Sequence, residues 1–175
     1  MNNIETALRQ LVFCWERTSA NEHGFSSAIE PSESAKAFCA ALLTAREGLL
    51  GYSEVTLPAL FLPPAPKDSW LKTEWAPDFE LGRWVVLLWT VSQFKGEMPN
   101  TFWDEQREIL AQLHAVFSAR QESNNEAKQV LSQLNEIEKH LDSFPTDDAG
   151  NYDELAVDLG KMMDFLAPIA IEYNV

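Results

Sequence analysis

Positive charge is scarce in this sequence. It has 13 Lys and Arg against 27 Asp and Glu, a formal net charge of -14, and no two basic residues are adjacent. Binding to a nucleic-acid backbone needs clustered cations that displace counterions, so direct nucleic-acid binding is disfavoured. An anionic membrane surface is disfavoured for the same reason. Long apolar runs are also missing. The candidate Trp84 to Trp89 is six residues, whereas a membrane-spanning helix needs roughly 20. The opening Met1-Asn2-Asn3-Ile4-Glu5 has no basic stretch followed by an apolar one. The reading is therefore a cytoplasmic chain with no membrane partner.

Cysteine, histidine and glycine are sparse, with two, three and seven residues respectively. Cys14 and Cys39 fall inside apolar helical stripes, which predicts two reduced core thiols rather than a disulfide or a reactive nucleophile. His23, His114 and His140 are too few and too scattered for a His-rich metal site. Glu136 and His140 share a helix face, but the Glu-x-x-His spacing of di-iron bundles is absent. The acidic stretch Asp147 to Glu154 lacks the alternating ligand order of a calcium loop. No phosphate-cradling Gly-rich loop and no nucleophile elbow is present. The sequence therefore assigns no catalytic residue, no metal ligand and no cofactor.

What the sequence does have is helical periodicity. Hydrophobic residues make up 46% and charged residues 23% of the 175, a composition that packs a core. Ile4, Ala7, Leu8, Leu11, Val12 and Trp15 recur at three- and four-residue steps, predicting a helix over 3–18. Ser32 is placed to cap a second helix over about 33–50, with Gly51 suited to its C-terminal end. Asp78 is placed to cap a helix over about 79–95, apolar all round and therefore central. Its β-branched Val85, Val86, Thr90 and Val91 leave a strand open as the alternative. A helix over about 101–120 is followed by a Ser123-Asn124-Asn125-Glu126 capping box. The next helix carries Ala127, Val130, Leu134, Ile137, Leu141 and Phe144 in a heptad seam. Together 101–143 read as a helical hairpin, with one continuous helix as the alternative. A last helix is predicted over 152–167.

Residues 58–77 differ from the rest. Prolines at 58, 63, 64, 66 and 77 exclude a regular element, and the interleaved Leu, Phe and Trp predict burial rather than a flexible linker. Pro63-Pro64-Ala65-Pro66 matches a short Pro-x-x-Pro ligand pattern, but its apolar neighbours favour packing over display. The fold class read from these patterns is all-α. It is a single-domain bundle of five or six helices, with the Pro-rich apolar segment packed across one end.

Charge is uneven along the chain. Residues 1–95 hold 8 basic and 11 acidic side chains, whereas residues 96–175 hold 5 and 16, a net -11. A solvated face that keeps the protein soluble is the plain explanation. The functional one is a surface for a basic partner protein. The candidate partner-binding residues are Asp147, Asp148, Asp153, Glu154, Asp158 and Asp164, with Trp70, Trp75 and Trp103 as aromatic anchors. The expected function is that of a non-enzymatic acidic binding protein, such as an inhibitor, an antitoxin-like neutraliser or a chaperone. Two alternatives stand beside it. One is an enzyme or small-ligand protein with an aromatic-lined pocket and a carboxylate. The other is a nucleic-acid mimic whose carboxylates imitate phosphates.

Overall fold

The computed structural model describes residues 3–13, 32–51, 70–93, 98–144 and 148–165. The chain is all-α: the described residues form six α-helices and one 3-10 turn, and no strand. The helices are α1 (Asn3–Gln10), α2 (Glu33–Gly51), α3 (Ala76–Ser92), α4 (Asn100–Arg120), α5 (Asn125–Leu141) and α6 (Ala149–Phe165), with the turn at Trp70–Lys72. They group into two compact units. The first holds α1, α2, the turn, α3 to Leu87 and α6 from Met163; the second holds α3 from Leu88, α4, α5 and α6 to Met162. Most of the Pro-rich segment, Cys14 and His23 lie outside the described residues, as does the predicted continuation of α1 over 14–18.

In the first unit, α1 packs on α2 and ends sooner than its apolar stripe predicts. Residues 11–13 leave the helix, and the freed carbonyl of Leu11 accepts from Arg46 Nη1 at 3.1 Å. The same guanidinium lies 4.5 Å from the centroid of the Phe13 ring, so one cation serves a helix end and an aromatic face. Ser32 caps α2 as its sequence predicts: its Oγ accepts from the Ala35 N–H at 3.1 Å. The α2–α3 approach rests on small residues. A Cβ at Gly82 would lie 2.6 Å from both the Ala41 Cβ and the Phe38 carbonyl oxygen. Ala37, Ala41 and Phe79 form the buried cluster there, and Cys39 is a buried thiol.

The apolar stretch of α3 is helical, and Leu81, Trp84, Val85, Val86, Leu87 and Leu88 are each at most 4% exposed. The helix starts at Ala76, three residues before the predicted start. Pro77 sits in its first turn, where a missing N–H costs nothing. Asp78 is consequently inside the helix and buried rather than at its cap.

The second unit is built on the α4–α5 hairpin, broken at residues 121–124, so the single long helix is not formed. Pro99 precedes α4 without any side-chain cap. Asn124, not Ser123, caps α5: its Oδ1 accepts from the Ala127 N–H at 3.2 Å. Ser123 instead donates to the Arg120 carbonyl. The buried face of α5 is Ala127, Val130, Leu131, Leu134, Ile137 and Leu141, the predicted seam plus Leu131. The last helix also begins early, at Ala149, and buries Tyr152, Leu155, Leu159, Met162 and Met163.

Candidate functional site

Four aromatic rings hold one end of the second unit together. Trp103 stacks on Phe144 with centroids 4.5 Å apart and meets Tyr152 edge-on at 6.2 Å. Phe144 and Tyr152 are 4.7 Å apart, and Phe102 stands perpendicular to Trp103. These contacts bring the start of α4, the segment just after α5 and the start of α6 to one place. Arg107 closes the arrangement. Its Nη1 donates to the carbonyls of Leu141 at 2.7 Å and Phe144 at 3.0 Å, and its Nη2 donates to Asp104. The carbonyls left over at the end of α5 thereby gain a charged donor.

Each stretch that meets here carries carboxylates. Asp104, Glu105 and Glu108 come from α4, Glu138 and Asp142 from the end of α5, and Asp148, Asp153 and Glu154 from the start of α6; all are exposed. Arg107 answers Asp104, and Lys139 is engaged by Glu136. Asp148 has a local role as well: its Oδ1 accepts from the Gly150 N–H at 2.8 Å. It therefore caps α6 at the positive end of the helix dipole.

The other predicted site residues separate. Asp158 turns inward, and its Oδ2 lies 2.5 Å from His140 Nε2. Lys161 Nζ is 3.7 Å from its other oxygen. Asp158 therefore joins α5 to α6. Asp164 is exposed and belongs to the first unit. Trp103 is corrected outright as a surface anchor, because it is 0% exposed. Phe144 and Tyr152 close over it. Its Nε1 has no hydrogen-bond partner among the described residues. Trp70 and Trp75 are half-buried against the Ala37–Ala41–Phe79 cluster of the first unit. Asp147 lies outside the described residues.

Sequence reasoning missed Glu105, Glu108, Glu138 and Asp142. The available signal was the antiparallel hairpin itself, which returns the end of α5 to the start of α4. It also missed a relay on the α4–α5 seam. His114 Nε2 lies 3.2 Å from Asn135 Oδ1 and His114 Nδ1 lies 3.3 Å from Ser118 Oγ. With Nε2–H donating to the amide oxygen, which only accepts, Nδ1 is the ring atom that faces the Ser118 hydroxyl. The order serine, imidazole, amide is that of a hydrolytic relay. Catalysis would also need donors aimed at a developing oxyanion. Ser118 lies within α4, where backbone N–H groups serve the helix. The relay pins α4 to α5.

An open groove of about 470 Å³ lies in the first unit, lined by Leu8, Leu11, Val12, Leu50, Arg46 and Glu47. Among the described residues no group of three His, Cys, Asp or Glu side chains is placed to hold a metal. No described helix is long and apolar enough to cross a membrane. No known family, curated protein or solved structure matches this chain.

Proposed function

We propose that this chain is a non-enzymatic binding protein whose second unit engages a basic partner protein through its acidic end. The observation that carries this reading is the gathering of carboxylates from three separate stretches, 104–108, 138–142 and 148–154, at one end of the unit. Among them Glu105, Glu108, Glu138, Asp142 and Glu154 have no ion-pair partner among the described residues. Exposed carboxylates on stretches that meet at one end give that end a negative potential, which a cationic surface complements. Such complementarity speeds encounter and sets specificity more than it adds raw affinity. The candidate contact thus keeps Asp148, Asp153 and Glu154 from the sequence reading and adds Glu105, Glu108, Glu138 and Asp142. It gives Asp158 a structural role in place of a contact.

The test uses the full chain as bait in its native lysate, beside a Glu105→Gln/Glu108→Gln/Glu138→Gln/Glu154→Gln variant. The expected result is a basic protein held by the wild type at low salt, released at high salt, and not held by the variant. Equal retention by both baits would reject the acidic end as the contact.

A further inference from the structure

The contact between His140 and Asp158 joins two helices through side chains 18 positions apart, only 17% and 20% exposed. His140 stands in the last turn of α5, where the helix dipole favours a positive imidazolium. We infer that this pair is a proton-operated clasp, tight when His140 is protonated and slack when it is neutral, which controls how firmly the first half of α6 is held to α5. The inference rests on this geometry and stands whether or not the acidic end binds a basic protein.

The surrounding charges are few and assigned. From α6, Asp158 faces His140, with Lys161 Nζ 3.7 Å from the carboxylate and the exposed Glu154 one turn earlier. On α5 itself, Glu136 lies one turn back and is engaged by Lys139. From α4, Arg107 reaches the end of α5, where it is committed to two carbonyls and Asp104. Imidazole is the side chain whose charge changes near neutral pH. Protonated, it adds the attraction of opposite charges to its hydrogen bond with the Asp158 carboxylate. Once it loses the proton, Lys161 is the cation that faces Asp158 among the described residues, from a side chain that is 65% exposed. Gly150 and Gly160 lie within α6 and lower its own helix propensity, so a contact to α5 adds to what its buried face supplies.

Hydrogen exchange of the full chain at about pH 5 and about pH 8.5, corrected for the intrinsic rate, tests this across the imidazole titration range. The expected result is a roughly three- to tenfold loss of protection over residues 149–158 at the higher pH. His140→Gln and Asp158→Asn should abolish that difference, and His114→Gln should keep it. Equal protection at both pH values in the wild type, or a difference that survives in His140→Gln, would overturn the clasp. If either variant fails to fold, NMR of the wild-type imidazole decides. A slowly exchanging His140 Nε2–H at acid pH supports the clasp, and one that exchanges like an exposed imidazole's refutes it.

Discussion

Several side chains that look like surface chemistry in the sequence serve the interior. Trp103 is the clearest case. A tryptophan in the first turn of a helix is difficult to bury by that helix alone. Here Phe144 and Tyr152, contributed by other segments, complete its enclosure. Replacing it removes a large buried side chain and leaves a cavity that its neighbours fill only in part. Trp103→Ala is expected to cost about 3–5 kcal/mol, measured by urea unfolding. Because the start of α4, the end of α5 and the start of α6 meet at this ring, the loss should appear as global destabilisation. A near-native unfolding midpoint would show that Trp103 is not the packing centre described. Asp158 follows the same pattern: at residue scale it reads as a solvated carboxylate, and only its meeting with His140 reveals its use.

At the scale of elements, helix type and order were legible because periodicity and turn residues act locally. The hairpin, the buried apolar helix and the cap at Ser32 all follow from such local rules. Helix ends were less legible, because neighbouring groups compete for the same free N–H donors. At α5 the competitors are Ser123 and Asn124, and the Asn wins. Asn124→Ala should therefore cost about 1 kcal/mol, while Ser123→Ala, which removes only an exposed bond to a carbonyl, should stay within about 0.5 kcal/mol. Paired thermal or urea unfolding of the two variants separates these roles. The α2–α3 approach makes a stronger demand. A methyl group at position 82 would meet the Phe38 carbonyl and the Ala41 Cβ, and backbone cannot swing aside as a flexible side chain does. Although alanine favours a helix by about 1 kcal/mol over glycine, Gly82→Ala should be net destabilising by about 1–3 kcal/mol. A more stable Gly82→Ala protein would mean that the two helices can separate at no cost.

For the molecule as a whole, the net charge of -14 governs its response to salt. Self-repulsion opposes the compact state, and added salt screens it over a Debye length that shrinks to about 10 Å near 0.1 M. The thermal midpoint is expected to rise between about 20 mM and about 300 mM NaCl, in a calorimetric scan at neutral pH. A falling midpoint would indicate that attractive ion pairs outweigh the repulsion. By itself the sequence determined the helical class, the acidity, the hairpin and the buried stripes of α3 and α5. Those depend on spacing and composition along the chain, which are fully present in one dimension. Only the tertiary structure decided which carboxylates face water together and which are spent inside. Glu105 and Glu138 are 33 positions apart, and no local pattern links them until the turn at 121–124 folds α5 back on α4. Likewise Asp158 becomes a helix tether, and Trp103 a core residue, because partners distant in sequence arrive beside them and exclude water.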